Sequence, residues 1–167
     1  MKILKSLKDL AVIVKNLKKN NKKVGLIVGG FDVLHMGHIN LFRLAKKNVD
    51  VLVVGLDNDK TLKNIKGSNR PINNYLRRSN FLSELTLVDY VFKINKVFKR
   101  DDVSSSEYFF IKIKKIGPTH VFTHSKTDSF VNTRINMAKK LGIKFMPDTS
   151  KTVTHSSVII SKLESEL

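Results

Sequence analysis

The sequence predicts an α/β fold in which a parallel sheet is covered by helices on both faces. Three observations carry that expectation. Short apolar runs alternate with stretches of helical period along the whole chain. The run Val49 to Leu56 is apolar almost throughout, as a strand buried on both faces requires. The run Val24-Gly25-Leu26-Ile27-Val28 passes through a Gly-rich turn directly into a helical pattern, the step from which parallel crossover units are built.

Taken in order, residues 3–20 place Ile3, Leu4, Leu7, Leu10, Ala11, Val14 and Leu17 at spacings of three and four, which reads as one amphipathic helix. Lys22-Lys23 lead into the first strand. After the turn, Ile39, Leu41, Phe42, Leu44 and Ala45 mark a helix ending in Lys46-Lys47, cations suited to a helix C-terminus. Val49 to Leu56 is the second strand, and Thr61, Leu62 and Ile65 indicate a short helix after Asp59. Asn73 or Asn74 caps a helix to about Leu85, and the third strand lies within Leu87 to Ile94. Residues 101–116 form a helix stopped by Gly117-Pro118. His120 to Thr123 is the fourth strand, Val131 to Leu141 a helix, Ile143 to Met146 the fifth strand, and Thr154-His155-Ser156-Ser157 opens a last helix from Val158.

Bulk properties narrow the function. A chain of 167 residues with 41% hydrophobic content buries a real core as one domain, residues 1–21 an N-terminal helix and 22–167 the core. No apolar run has the length of a membrane span, the first residues lack the compact apolar centre of a signal peptide, and the cytoplasm is the expected compartment. Cysteine is absent, which excludes disulfides and thiolate metal sites. The net charge of +17 comes mostly from lysines scattered among the helices. It reads as compositional drift with a general attraction for phosphates; no specific nucleic acid and no membrane are expected as partners.

The chemistry concentrates in Gly29-Gly30-Phe31-Asp32-Val33-Leu34-His35-Met36-Gly37-His38. A strand, a Gly-rich turn and a helix start bring free N–H groups and close backbone together, a geometry that favours anions. His35 and His38, three apart, can face one bound group. The plainer alternative makes His35 a core histidine and His38 a helix-terminal residue without chemistry. Downstream, Lys66-Gly67-Ser68-Asn69-Arg70-Pro71-Ile72-Asn73 has the composition of a mobile lid carrying two cations, or of an exposed loop. His120 and His124 do not make a metal site, because they straddle a strand end and no third ligand is apparent.

The spacing Gly-x-Phe-Asp-x-x-His-x-Gly-His resembles the signature of the cytidylyltransferase-like nucleotidyltransferases. That resemblance implies a Rossmann-like three-layer α/β/α fold with a five-stranded sheet in the order 3-2-1-4-5. It makes His35 and His38 contacts of the nucleotide phosphates, in a site beyond the C-terminus of the first strand. Family members join a nucleoside monophosphate to a substrate phosphate and release pyrophosphate. The attacking phosphate is already ionised, so convergent donors and cations carry the rate rather than a general base. His35, His38 and Lys66 are then the catalytic set. Gly29, Gly30, Phe31, Asp32, Gly37, Arg70, Arg78, His155, Ser156 and Ser157 are the nucleotide-binding set.

Val54-Gly55-Leu56-Asp57-Asn58-Asp59, Lys66-Gly67-x-x-Arg70-Pro71-Ile72-Asn73 and Val88-Asp89-Tyr90-Val91 are similar to the adenylyltransferase domain of ADP-heptose synthase. Glycerol-3-phosphate cytidylyltransferase shares the His motif but lacks the Arg-Pro-Ile-Asn stretch. Two departures stand out. His155-Ser156-Ser157 replaces a run of three hydroxyls, and Thr123-His124-Ser125-Lys126-Thr127-Asp128 replaces a Gly-Gly-Asp type turn near the acceptor. Asp57, Asp59, His124 and Lys126 are therefore the acceptor-binding candidates. The resemblance further implies ATP, or CTP, with Mg²⁺ carried on the triphosphate, a phosphorylated small-molecule acceptor and a homodimer. Rival readings are cytidylyl transfer to glycerol 3-phosphate, adenylyl transfer to flavin or pantetheine phosphate, and a regulatory nucleic-acid-binding protein on an inactive fold.

Overall fold

In the computed structural model, residues 2–4, 6–100, 102, 104–124, 130–149 and 156–165 are described. The strands are β1 (Ile3–Leu4), β2 (Val24–Gly29), β3 (Val51–Asp57), β4 (Tyr90–Ile94), β5 (His120–His124) and β6 (Lys144–Asp148). The helices are α1 (Leu7–Lys19), α2 (Met36–Asn48), α3 (Asp59–Lys66), α4 (Tyr75–Glu84), α5 (Ser104–Ile116), α6 (Val131–Lys140) and α7 (Ser156–Ser165).

All strand pairs are parallel, and the sheet order is β1-β4-β3-β2-β5-β6. Five strands keep the expected order; the sheet has six. The correction lies at the N-terminus, where a helix from residue 3 was expected. Ser6 prevents it: its hydroxyl accepts the Asp9 N–H at 3.1 Å and fixes the start of α1 at Leu7. Ile3 and Leu4 instead pair with Val91 and Phe92, and Val91 N–H reaches Lys2 O at 2.8 Å. The edge of β4 thereby gains partners for backbone groups that would otherwise stand open. The second strand begins at Val51 rather than Val49, because Val49 is the C-cap of α2.

Side chains alternate across the sheet. Leu52, Val54 and Leu56 of β3 join Ile27, Phe42, Leu82 and Phe122 in one core, beneath α2 and α4. Val53 faces the other way and joins Leu10, Val14, Leu26, Phe92 and Ile116 beneath α1 and α5. The chain runs outward from β2 through β3 to β4, then returns to β5 on the other flank of β2. That reversal opens a crevice at the C-terminal ends of β2 and β5, where ligands of open α/β sheets bind. Gly29 to Asp32, Asp57, His124 and Asp148 all stand on this edge.

Candidate active site

The turn after β2 is shaped by Phe31. Its φ of 45° lies in the left-handed region, disfavoured by about 1–2 kcal/mol for a residue with a side chain. Burial holds it there: the ring is 5% exposed, 5.4 Å from Phe42 and 5.0 Å edge-on from His38. A Cβ on Gly29 would lie 3.1 Å from that ring, and a Cβ on Gly30 would lie 3.2 Å from Leu62. The chain's own side chains therefore fill the space those glycines leave, so both are needed for packing beneath the turn. Packing is thus a reason for both glycines beside the expected approach of a phosphate.

His35 is the N-cap of α2, and its Nδ1 accepts the Gly37 N–H at 3.2 Å. His38 reciprocates, its Nδ1 accepting the His35 N–H at 3.4 Å. The two rings stack with centroids 3.9 Å apart and an interplanar angle of 28°. With both Nδ1 atoms accepting, neutral imidazoles carry their protons at Nε2. The usual Ser or Asp cap is thus replaced by two rings that cap and donate at once. No carboxylate stands in the first turn of α2, so the positive end of its dipole adds to the donors.

Around this pair the charged residues divide into two groups. Asp32, 2% exposed, takes the Asn73 N–H at Oδ1 (2.9 Å) and pairs with Arg70 Nε at 2.8 Å through Oδ2, while its backbone oxygen accepts Asn73 Nδ2 at 2.8 Å. The expected lid is therefore anchored at Arg70 and Asn73; Gly67, Ser68 and Asn69 remain as its exposed part. Arg78, placed among the nucleotide ligands from sequence, is 1% exposed and points down into the fold. It donates to Gly30 O (2.5 Å), Asp57 O (2.8 Å), Asn73 O (2.9 Å) and Asp59 Oδ1 (2.7 Å). It is a positioning residue, joining the ends of β2 and β3 to the segment before α4. Asp59 is engaged in the same way, its Oδ2 accepting the Tyr75 N–H at 3.1 Å.

Two groups on the open edge have shifted proton affinities. Burial pushes the Asp57 carboxyl up to about 6, against the opposing pull of Arg78, Arg134 and Lys66. The Lys66 ammonium is held below the usual lysine range by burial and then by Arg70, while Asp32 and Asp57 oppose the shift. A carboxyl and an ammonium perturbed toward each other's range, in a crevice, mark a site adapted to receive charge.

The remaining candidates are placed less completely. His124 ends β5 on the crevice edge, and Gly37 is buried in the first turn of α2. Ser156 and Ser157 open α7; His155 and Lys126 lie outside the described residues. Sequence reasoning missed Asn73 as the partner of Asp32. It also missed Arg134, whose guanidinium lies 5.0 Å over the Phe109 ring and acts on Asp57. A signal was present: arginine occurs six times against 25 lysines, and a planar fork in a lysine-rich chain marks a geometric need. Among the described residues there is no group of three or more His, Cys, Asp or Glu able to hold a metal.

A parallel sheet with its crevice at the switch point, and a donor-bearing helix start inside it, defines a Rossmann-like α/β protein with a place for an anion. The particular family is shown by comparison: the chain belongs to the cytidylyltransferase-like family, whose model matches residues 26–161. Among curated relatives, the bifunctional protein HldE of a Nitratiruptor species is 38% identical over 112 residues, 67% of this chain and 22% of the relative. HldE of Campylobacter jejuni (serotype O:2) is 42% identical over 90 residues, 54% of this chain and 19% of the relative. The chain thus spans about a fifth of the length of these relatives. The lipopolysaccharide core biosynthesis protein from Thermoplasma volcanium superposes with a TM-score of 0.58 at 24% identity, covering 78% of this chain and 99% of that one. Pantoate-beta-alanine ligase from Francisella tularensis superposes with a TM-score of 0.63 at 19% identity, covering 100% of this chain and 78% of that one. Both likenesses concern the fold.

Proposed function

We propose that this protein is a nucleotidyltransferase that moves AMP from ATP to a sugar or polyol phosphate and releases pyrophosphate. The observation that carries the reading is the stacked His35–His38 pair, fixed by reciprocal capping as Nε2 donors at the start of α2. An acceptor phosphate oxygen attacks the α-phosphorus, the bond to the bridging oxygen breaks, and its electron pair leaves with pyrophosphate. No proton need be abstracted, so the barrier is set by bringing anions together. The two imidazoles and the α2 N-terminus meet charge that grows on the phosphate oxygens, and Lys66 supplies a mobile cation from the end of α3. Mg²⁺ suits phosphate oxygens and would ride on the triphosphate; of the nearby carboxylates, Asp32 and Asp59 are already engaged by Arg70, Asn73, Tyr75 and Arg78. Asp57, with His124 and Lys126, is assigned to the acceptor side.

The adenylyl choice is supported by the HldE relatives together with the Lys66-to-Asn73 stretch. The test is ligand protection followed by turnover. ATP with Mg²⁺ should raise the melting temperature more than CTP at equal concentration, since a ligand of the native state stabilises by mass action. A panel of sugar phosphates then identifies the acceptor by pyrophosphate release. Greater protection by CTP moves the reading to cytidylyl transfer; no pyrophosphate with any nucleotide and acceptor overturns it.

A further inference from the structure

In an all-parallel sheet the covering helices run back against the strands, so their C-termini gather at the edge where strands begin. Here that edge collects lysines which look dispersed in sequence. A lysine pair closes each of α1, α2, α5 and α6, Lys22-Lys23 lead into β2, and Lys144 opens β6. With Lys2 beside β1, the edge holds twelve lysines against three carboxylates among the described side chains, Asp50, Glu84 and Asp89. That excess of nine is more than half of the net +17. Hydrogen bonds knit the edge into one surface: Lys23 N–H to Asp50 (2.7 Å), Val24 N–H to Thr119 Oγ1 (2.8 Å) and Lys144 N–H to Thr119 O (3.1 Å).

The pairs complement the helix dipoles, and α4, ending on Glu84, is the exception; what makes a face is their gathering on one edge with Lys22, Lys23 and Lys144. Their field is felt locally: buried His120, at the start of β5, is held below the usual imidazole range by burial and then by Lys144 and Lys23.

We propose that this lysine face docks the protein, by charge alone, on the surface of an anionic lipid bilayer, with the His35–His38 end directed away into solution. The shape of the face selects a plane. Its charges spread in two dimensions, about 15 Å across four strands and more than about 20 Å between the helix layers. The turns that form it, residues 20–23, 49–50, 117–119 and 141–143, are short, and none presents a helix or ribbon to enter a nucleic-acid groove. A single exposed aromatic, Phe81 in the last turn of α4, stands at the rim among the described residues, not the row of rings that stacks successive bases, and the cations are lysine point charges rather than arginine forks. Among the described residues Phe81 is the one exposed large hydrophobic at this edge, too little apolar surface to insert, so the contact is adsorption by charge. The proposal departs from the expectation of no membrane partner because topology, not sequence order, brings the charges together.

The proposal does not rest on the enzymatic reading, and vesicle binding tests it directly. At low salt the protein should sediment with phosphatidylcholine vesicles containing about a third phosphatidylglycerol and stay in solution with phosphatidylcholine alone. Binding should be lost by about 0.5 M salt. A variant with Lys18→Glu, Lys19→Glu, Lys139→Glu and Lys140→Glu should bind at least about a hundredfold more weakly while keeping its circular dichroism spectrum. An isoelectric control with Lys8→Glu, Lys15→Glu, Lys60→Glu and Lys99→Glu should bind within a few-fold of the parent. Equal losses in the two variants would mean that total charge, not this face, is read. Binding to neutral vesicles, or tighter binding to duplex DNA than to anionic vesicles at physiological salt, would also overturn the proposal.

Discussion

An imidazole that accepts a backbone N–H at Nδ1 carries its proton at Nε2, and His35 and His38 both do so. Their structural and chemical roles therefore sit on different atoms of one ring and can be separated by substitution. Asparagine is a good N-cap but has no donor where Nε2 stood. His35→Asn should melt close to the parent temperature yet lose at least about a hundredfold in turnover, the loss expected for one preorganised donor. Near-normal turnover in His35→Asn would reduce His35 to a cap. Asp57 gives a second test at this scale. Its folded proton affinity is raised from 3.8 to about 6, so at neutral pH the ionised carboxylate destabilises the native state. As pH falls through that window the native state takes up the proton first and the deficit closes. Asp57→Asn should thus stabilise the protein at pH 7 by about 1–3 kcal/mol, with the gain fading as pH approaches 4. Chemical denaturation at both pH values measures it, and equal effects at the two would rule out the titration as cause. The juxtaposition of the His pair was legible because a spacing of three at a helix start brings two side chains together, while its chemistry rested on the resemblance of the longer Gly-x-Phe-Asp-x-x-His-x-Gly-His motif. Arg78 was not: an arginine aimed at a ligand and one aimed at three carbonyls look the same in sequence.

Among elements, the segment from Lys66 to Asn73, expected to be a lid, is a loop anchored at its far end. Gly67, at φ 108°, releases it from α3, and Asp32 fastens its far end through Arg70 and Asn73. Hydrogen exchange in the unliganded protein should be fast from Gly67 to Asn69 and slow at Asn73, whose N–H is held by a buried carboxylate. In Asp32→Ala, fast exchange should spread through Asn73; unchanged protection there would mean that Asp32 is not the anchor. Lys66→Met keeps the apolar stem and removes the charge, so turnover should drop at least about tenfold with little change in melting temperature. Composition showed the glycine, serine and asparagine of the loop, but not the anchor, since the Asp32 partners lie 38 and 41 positions away. For the same reason β1 was absorbed into a helix. Ile3 and Leu4 fit the helical spacing of Leu7, Leu10 and Ala11, and only the Ser6 cap with the open β4 edge decides between the two states.

At the scale of the whole molecule, strand alternation with one expected crossover order was enough to put the crevice at the end of β2, but the opposite pole was invisible. Lysine pairs separated by tens of residues become neighbours only when four helices end on one edge. The two poles lie about 20 Å apart, the length of a six-residue strand such as β2. That distance is more than two Debye lengths at physiological salt and less than one at about 10 mM. The lysine edge should therefore affect capture of a polyanionic nucleotide only when salt is low. Reversing Lys18, Lys19, Lys139 and Lys140 changes eight charges, each worth about 0.2 kcal/mol per unit of ligand charge at this distance in water before screening. For a ligand of charge near −2, screening leaves about 1.7 kcal/mol at 10 mM and about 0.3 kcal/mol at 0.15 M. The variant should thus lose more than about tenfold in kcat/KM for Mg-ATP at low salt and less than about twofold at physiological salt, with kcat unchanged in both. A loss of kcat, or a deficit that persists at 0.15 M, would mean that these lysines act on the site through the fold and that the two poles are not independent.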